Sequence, residues 1–286
     1  MVEATVEPRR LGVISQLHEV HRYRDWTPQI LVPDSLPAAR PHPVLVVVNQ
    51  KGGTGKTTTA VELGAALAAA GMAVRLIDCD PQEGSASDWL RIPAGQGTLV
   101  DVFLHGMPLD QVTYSTCVDD LEIVPSDLTL AQVEYARPVG AETALGAAIA
   151  RSYQYDVTLI DCTPSLGLLT IAALGAATDA IIPLRAGGLD ISAVASLNRT
   201  IRQVREKIND QLRVRAVLLT AVQRSNLIRV IFAMLAQDYP DSIIAPIRHS
   251  VRAAEAPLVG RPIREHAPES TAASDYGQVA PLIAGV

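Results

Sequence analysis

The sequence has few aromatic residues, few cysteines and no long apolar run. Phe, Trp and Tyr together make up 4% of the 286 residues, so the core is expected to be aliphatic. Cys79, Cys117 and Cys162 are odd in number and lack the spacing of metal ligands. No apolar stretch approaches the 18 residues of a membrane-spanning helix, and no basic-then-apolar signal pattern opens the chain. These absences predict a cytoplasmic protein, with Cys79 and Cys162 as core thiols rather than redox centres.

Lysine is also scarce, and its placement is informative. Of the 24 basic residues, only Lys51, Lys56 and Lys207 are lysines, and two of these lie in the glycine-rich stretch 49–59 (NQKGGTGKTTT). A compact ammonium group fits between phosphates where a planar guanidinium does not. The stretch follows the apolar run 44–48 and precedes a helix-forming run, 60–70. Strand, glycine loop and helix form the context of a phosphate-binding loop.

The residue types in this loop suit a triphosphate and its metal ion. Glycine lets backbone N–H groups converge on phosphate oxygens, and the helix N-terminus adds partial positive charge. Lys56 is predicted to reach the β- and γ-phosphates, and the Thr57 hydroxyl to ligate Mg²⁺. The alternative is a glycine turn without a ligand. The predicted nucleotide-binding residues of the loop are Lys51, Gly52, Gly53, Thr54, Gly55, Lys56, Thr57 and Thr58.

Two further predicted strands end in carboxylates. The run 73–78 ends in Asp78 and leads to Asp80, and the run 155–161 ends in Asp161. Open α/β sheets bind their ligands at the carboxyl ends of the strands. An apolar strand that closes in aspartate is a Walker B pattern, whose carboxylate holds Mg²⁺, often through water. A helix-capping or turn role is the alternative for Asp78 and Asp80.

The order of elements predicts an α/β fold, a mostly parallel twisted sheet with helices on both faces. Residues 44–286 are expected to form one domain, preceded by an extension, 1–43, with a short helix at 11–26 and a proline-rich linker. This extension could dock on the domain, aid dimerisation, contact a partner or remain an unattached leader. Further strands are predicted at 121–126, 179–184 and 214–220, and helices at 127–133, 141–151, 189–208, 227–238 and 267–282.

The charge is distributed unevenly along the chain. Its net value is −6, from 24 basic and 30 acidic residues. Residues 199–264 contain twelve basic and five acidic residues, a balance of +7, which leaves −13 for the rest of the chain. Such an asymmetry predicts a basic face for polyanions, unless these arginines only solvate helix surfaces.

The loop Lys51-Gly52-Gly53-x-Gly55-Lys56-Thr57-Thr58 resembles the deviant Walker A box of the ParA/MinD ATPases; the ordinary motif has glycine where Gln50 stands. The runs 76–82 (LIDCDPQ) and 162–167 (CTPSLG) resemble the switch I and switch II segments of this family. The resemblance, which covers residues 44–280, implies a P-loop NTPase that uses ATP and Mg²⁺ and hydrolyses ATP slowly.

The same resemblance implies roles for individual residues. Lys51 reaches across an ATP-sandwich homodimer to the phosphates of the partner, and Asp80 positions the attacking water. The implied catalytic residues are Lys51, Lys56 and Asp80. The implied magnesium residues are Thr57, Asp161 and, in support, Asp78.

The run 246–257 (PIRHSVRAAEAP) resembles the chromosome- and plasmid-partition branch of the family, although Asn is more frequent there at the position of Ser250. In that branch the segment borders the adenine, which implies nucleotide contacts for Pro246 and Ile247. It also implies non-specific double-stranded DNA as a ligand, a ParB-like centromere-binding partner that stimulates hydrolysis, and association with the nucleoid. The candidate DNA-binding residues are Arg224, Arg229, Arg248 and Arg252.

Other branches fit the sequence less well. MinD-type regulators end in a basic amphipathic helix that binds lipid, whereas residues 271–286 contain no Lys or Arg, so no membrane contact is expected. Relatives with a shared iron–sulfur cluster need paired cysteines, and arsenite-pump ATPases show a tandem duplication that this chain lacks. An ATP-switched scaffold that positions protein cargo or division-site components remains the alternative to DNA partition.

Overall fold

The computed structural model describes residues 29–93, 95–152, 154–188 and 191–286. The helix predicted at 11–26 lies outside these ranges. Within them, no helix is long and apolar enough to span a bilayer.

Eight strands form one sheet, in the order β3-β4-β2-β5-β1-β6-β7-β8. Every neighbouring pair is parallel except β3 with β4, which is antiparallel. This arrangement confirms the predicted α/β fold. The strands are β1 (Val44–Val47), β2 (Val74–Cys79), β3 (Tyr114–Ser115), β4 (Leu121–Val124), β5 (Val157–Cys162), β6 (Asp179–Arg185), β7 (Arg213–Val222) and β8 (Ile243–Arg248).

Helices cover both faces of the sheet. They are α1 (Lys56–Ala68), α2 (Ala86–Trp89), α3 (Leu99–His105), α4 (Ala131–Ala136), α5 (Ala141–Ile149), α6 (Leu168–Ala176), α7 (Ile191–Lys207), α8 (Asn226–Asp238), α9 (Arg252–Val259), α10 (Ile263–His266) and α11 (Thr271–Ala284). The sequence did not predict α2, α3, α9, α10 or β3, because these elements are too short to show a period, and it did not predict α6 either. It also missed β8, which contains Pro246; proline is tolerated there because β8 is the last strand of the sheet.

The two faces of the sheet carry separate apolar cores. Val44 and Val46 of β1 belong to the core beneath α5, α6, α7 and α8. Leu45 and Val47 belong to the core beneath α1 and α11. Successive side chains of a strand point to opposite faces, so a strand covered on both sides has every side chain buried and is apolar at most positions. This is why β1, β2 and β5 are buried along their whole length.

Residues 29–43 run from the β8 edge of the sheet to the start of β1. Leu31 forms an antiparallel bridge with Ile244, with N···O distances of 2.8 and 3.0 Å. Arg213 donates to the Ala38 carbonyl at 2.8 Å, and buried Arg215 donates to the Pro37 carbonyl. The bridge to Leu31 covers backbone groups of β8 that an open strand edge would expose. Docking on the domain, one of the possibilities left open for the extension, therefore holds for this part of it.

Arg215 also caps the C-terminus of α11, the last helix. Its Nε donates to the Ile283 carbonyl and its Nη2 to the Leu282 carbonyl, both at 3.0 Å. Carbonyl groups in the last turn of a helix have no partner within the helix, and a nearby cation satisfies them. A single guanidinium thus joins β7, the C-terminus of α11 and the extension. The helix predicted at 267–282 is confirmed as packing on the domain.

Glu62 fixes the other end of this C-terminal region to α1. Its side chain is 1% exposed, and its carboxylate accepts the Ile263 N–H at 2.5 Å and the Arg264 N–H at 3.4 Å. Burial raises the pKa of Glu62 to about 7, although the two N–H groups oppose this shift. The group therefore takes up a proton on folding near neutral pH.

We expect Glu62 to make the protein less stable as the pH rises. Its pKa is raised from 4.5 to about 7, so its contribution is complete below pH 4.5 and is lost as the pH rises through 7. Glutamine does not ionise, so the stability of Glu62→Gln lacks this dependence on pH. Relative to the variant, the wild-type free energy of unfolding should fall by about 3 kcal/mol across this window. Urea unfolding at several pH values measures the difference, with exposed Glu142→Gln as control; parallel curves would contradict the assignment.

Candidate functional site

The glycine loop leaves β1 and enters α1 at Lys56. Gly53 and Gly55 have φ angles of +70° and +90°, a region that side chains disfavour, which explains these two glycines. Asn49, 2% exposed, holds the start of the loop. Its Nδ2 donates to the Pro183 carbonyl at 2.7 Å, and its Oδ1 accepts the Lys51 N–H at 3.0 Å. The loop is thus fixed to β6 before it turns.

Thr220, at the carboxyl end of β7, holds the middle of the loop. Its hydroxyl donates to the Thr54 carbonyl at 2.8 Å. A Cβ at Gly55 would lie 3.7 Å from the Thr220 methyl group, so the loop and β7 are already in close contact. Arg185 of β6 adds a longer bond to the Gly53 carbonyl, at 3.4 Å. Side chains of β6 and β7 thus hold two carbonyl groups of the loop.

The two loop lysines occupy different environments. Lys56 is 7% exposed, and its Nζ donates to the Lys51 carbonyl at 3.4 Å. Burial lowers the pKa of Lys56, whereas Asp161 and Asp80 favour its charged form. The side chain of Lys51, by contrast, is exposed. The side chain of Lys56 is therefore buried against the loop, whereas that of Lys51 is exposed to solvent.

Asp161 at the end of β5 is a buried carboxylate that lacks a well-placed donor. It is fully buried, and among the described residues neither of its oxygens has a hydrogen bond of good geometry. Burial and the charge of Asp78 hold its pKa well above the usual range, and the nearby Thr57 hydroxyl opposes this only in part. A buried carboxylate with open oxygens beside a hydroxyl fits the oxygen ligands that Mg²⁺ prefers. The structure thus brings Asp161, Thr57 and Lys56 together, as the sequence predicted.

Asp78, by contrast, has several donors. Its oxygens accept the Asp80 N–H at 3.0 Å, the Ser87 N–H at 2.8 Å and the Ser87 hydroxyl at 2.5 Å. Asp78 therefore holds the segment 79–87 in place. This resembles the turn role that the sequence analysis left open as the alternative for Asp78. Its support of the magnesium shell stays a prediction, and the hydrogen bonds favour Asp161 over Asp78 as the ion's ligand.

Asp80 lies beside these groups at the start of the segment. It is 8% exposed, its Oδ1 accepts the Gln82 N–H at 3.1 Å, and its carbonyl accepts the Ser126 hydroxyl at 2.6 Å. Burial and the Asp78 charge raise its pKa, and Lys56 opposes the shift. Asp80 thus shares the electrostatic environment of Lys56 and Asp161.

A cavity of about 340 Å³ opens on the other side of the loop. Thr58, Ala221, Ile247 and Tyr276 are among its lining residues, and the Tyr276 hydroxyl is 3.0 Å from that of Thr59. Ile247 thus occupies the predicted position, whereas Pro246 is not part of the lining. This shape and its apolar walls suit a nucleotide base.

The two strand cysteines lie next to each other in this region. Cys79 and Cys162 are paired in the β2–β5 register and are fully buried. Burial holds both pKa values well above the usual range, so both thiols stay protonated. The prediction that they are core thiols is confirmed.

Comparisons with known proteins agree with this geometry. A family model described as an AAA domain matches residues 42–214. The chain is 39% identical to the chromosome-partitioning ATPase Soj of Thermus thermophilus, over 82% of this chain and 93% of that protein. It is 37% identical to the chromosome partitioning protein ParA of Caulobacter vibrioides, over 79% and 88%.

The chain belongs to the ParA/Soj family of partition ATPases. The family works with Mg²⁺ and ATP, so the predicted ATPase activity and both cofactors are confirmed at this level. A similar solved structure is that of cobyrinic acid a,c-diamide synthase from Mycobacterium smegmatis, bound to an ATP analogue and magnesium. It has a TM-score of 0.70 and 31% identity over 84% of this chain and 92% of that one.

Two of the four candidate DNA-binding residues of this ParA/Soj-family chain are held by acids. Arg248 forms a two-pronged ion pair with Asp275, with Nη2 at 2.6 Å, and it also lines the cavity. Arg252 pairs with Glu255 at 2.7 Å. Arg224 is exposed and Arg229 is half-buried in the first turns of α8. The basic face is therefore smaller than the residue count of 199–264 indicates, since Arg213 and Arg215 also serve the fold.

The sequence analysis did not identify several residues that shape the site. Asn49 had a signal, since it lies two residues before the lysine that opens the loop. Thr220 and Tyr276 had none, because each reaches the loop or α1 from more than 160 residues away along the chain. Ala221, with a φ of +52°, turns toward the cavity where the β7–β8 register shifts. Such strain often accompanies a ligand site.

We expect the same substitution to have opposite effects at two buried aspartates. Asp161→Asn removes a buried acid that lacks good donors and lies beside Asp78, so the free energy of unfolding of the nucleotide-free chain should rise by on the order of 1 kcal/mol. Asp179→Asn breaks the ion pair with Arg213 and should lower it by about 3 kcal/mol. Urea unfolding measures both.

The same two variants test the metal site. Stabilisation by ATP with Mg²⁺, over ATP with EDTA, should disappear in Asp161→Asn and persist in Asp179→Asn, as measured by thermal unfolding. If ATP with Mg²⁺ still raises the unfolding temperature of Asp161→Asn above that with ATP and EDTA, Asp161 does not hold the metal ion.

Proposed function

We propose that this chain is a DNA-partition ATPase that ATP switches between two states. In the ATP state it forms a sandwich homodimer that binds double-stranded DNA without sequence preference and associates with the nucleoid. ATP hydrolysis, stimulated by a ParB-like centromere-binding partner, releases it. The observation that carries the proposal is the opposite placement of the loop lysines, with Lys56 buried and Lys51 exposed.

Charge balance explains why two lysines are needed. The buried ammonium of Lys56 already faces Asp161 and Asp80, so it offsets acids of its own chain as well as a bound triphosphate. In the proposed dimer, the exposed side chain of Lys51 contacts phosphates held by a second copy. ATP would then add attraction between two copies that repel each other at a net charge of −6 each.

The carboxylates and hydroxyls around the loop carry the hydrolysis in this proposal. Thr57 and Asp161 would hold Mg²⁺, which supplies positive charge against the β- and γ-phosphates. Asp80, fixed through Gln82 and Ser126, orients the attacking water. The switch segments 76–82 and 162–167 contain no arginine, so turnover by the chain alone should be slow, which leaves room for stimulation by a partner.

The proposed DNA surface lies at the carboxyl edge of the sheet, where β7 leads into α8. Arg224 is exposed just before α8, and Arg229 lies half-buried in the first turn of that helix. A dimer presents this surface twice, and phosphate contacts give binding that weakens with salt. Arg248 fits better with the cavity and Asp275 than with DNA.

Lys51→Ala should separate ATP binding from dimerisation. We expect the ATP affinity to change by less than about threefold, since Lys56 and the loop N–H groups remain, while the ATP-dependent dimer is lost. Light scattering with ATP–Mg²⁺ and with ADP–Mg²⁺ measures the dimer. Lys207→Ala, at the exposed end of α7, is the matched control. An intact ATP-dependent dimer in Lys51→Ala would contradict the proposal.

Two double variants should differ in their DNA binding. Arg224→Ala/Arg229→Ala should weaken binding to non-specific duplex DNA and reduce the slope of log K against log salt by about 1 for each lost phosphate contact. Arg248→Ala/Arg252→Ala should do less, because each of these charges is paired. Fluorescence anisotropy over a salt series with ATP–Mg²⁺ measures both. The control is Arg151→Ala/Lys207→Ala, at the opposite edge of the sheet.

The same measurement addresses the alternative function. ATP-dependent dimers of the wild-type chain that bind no DNA in any nucleotide state would exclude partition by direct DNA binding. That outcome would favour the ATP-switched scaffold that positions protein cargo.

A further inference from the structure

The helix that follows switch II is capped by a side chain from another helix. Its N-cap residue, Gly167, has no side chain, so α6 provides no cap of its own. Instead, Glu134 of α4 accepts the Leu168 N–H at 2.9 Å and the Leu169 N–H at 3.1 Å, one with each carboxylate oxygen. A carboxylate is favoured there because the first N–H groups lack helical partners and the helix dipole is positive at this end.

Gly167 makes room for this carboxylate. A Cβ at this position would lie 2.5 Å from Oε1 and 2.7 Å from Oε2 of Glu134. The backbone of Gly167, at φ −83° and ψ −165°, is open to any residue, so conformational freedom does not explain the glycine. The missing side chain thus serves the approach of Glu134.

The contact holds one end of a short segment whose other end is the metal site. Asp161 closes β5, and only residues 162–167 separate it from the capped N–H groups of Leu168 and Leu169. Within this segment, the Thr170 hydroxyl donates to the Ser165 carbonyl at 2.7 Å. The helix that carries Glu134 is anchored through Val133, which is fully buried. A shift of the Glu134 carboxylate would therefore move switch II relative to Asp161.

We propose that Glu134 is a positioning residue for ATP hydrolysis, which acts by holding the N-terminus of α6 and thereby the position of switch II. It touches neither the loop nor the carboxylates of the site. The inference rests on the proposed function, in which switch II responds to the γ-phosphate. Loss of the contact should leave ATP binding in place and slow the chemical step, because switch II no longer takes up its position beside the nucleotide.

A purely structural cap predicts a different result. Removing such a cap would lower the thermal stability by the same amount in every nucleotide state, and the kinetic constants would change little. Positioning predicts that kcat falls by about 10- to 100-fold with the KM for ATP nearly unchanged. It also predicts that amide exchange in residues 162–170 loses its dependence on the nucleotide.

A double-mutant cycle between Glu134 and Gly167 tests the proposal. Glu134→Ala removes the carboxylate, and Gly167→Ala displaces it, so each variant should lower kcat to a similar level. The double variant should be no worse than either single variant, since both remove one interaction. Glu134→Gln, which keeps one acceptor oxygen, should lie in between. The matched controls are Glu142→Ala, at an exposed position, and Gly187→Ala, where an added Cβ meets nothing within 4 Å.

Steady-state ATPase rates give kcat and KM. Hydrogen–deuterium exchange of residues 162–170 is compared between ADP–Mg²⁺ and a non-hydrolysable ATP analogue with Mg²⁺. Strictly additive effects, unchanged kcat, or exchange that rises equally in both nucleotide states would each overturn the proposal. If Glu134→Ala does not fold, Gly167→Ala and Glu134→Gln still decide it.

A failure of the proposed function would look different. A wild-type chain without ATP-dependent dimers or DNA binding would refute the partition cycle. The exchange comparison would still show whether Glu134 controls switch II, because it needs only nucleotide binding.

Discussion

Three buried carboxylates share one buried ammonium group at the carboxyl edge of the sheet. The parallel register places Asp78 of β2 beside Asp161 of β5, and Asp80 follows two residues later. Burial raises the pKa of each acid, and Lys56 is the cation that opposes this for Asp80 and Asp161. Such a cluster is poorly balanced until more positive charge arrives. Binding of a metal–nucleotide complex and stability of the fold are therefore linked through these four side chains.

The parts of the site differ in how firmly the fold holds them. The glycine loop is fixed from two other strands, through the Asn49 amide and the Thr220 hydroxyl. The segment after β2 is fixed through Asp78 and Ser87. The segment after β5 is held by the Glu134 carboxylate at its far end and by the Thr170 hydroxyl on the Ser165 carbonyl. A firmly held phosphate loop beside a less firmly held segment suits a nucleotide switch, in which one segment changes its order with the γ-phosphate.

Arginine serves two purposes in this chain, and only one of them concerns a partner. Arg75 is fully buried and bonds to Ser152, and Arg215 ends α11 and holds the extension. Arg213 neutralises buried Asp179. Planar guanidinium groups suit such buried multiple contacts better than lysine does. A count of basic residues along the sequence therefore overstates the positive charge that the surface offers to a polyanion.

The sequence by itself determined the strand–loop–helix unit around Lys56, the carboxylates at the ends of β2 and β5, and the α/β fold. These features rest on apolar runs and turn chemistry, which are local. Only the tertiary structure decided that Thr220 holds the loop, that Ile247 rather than Pro246 faces the cavity, and that Glu134 caps α6. Each of these depends on which face of a distant element meets the site. Local patterns carry no record of that, because partners such as Thr54 and Thr220 are 166 residues apart and meet only when the sheet is assembled.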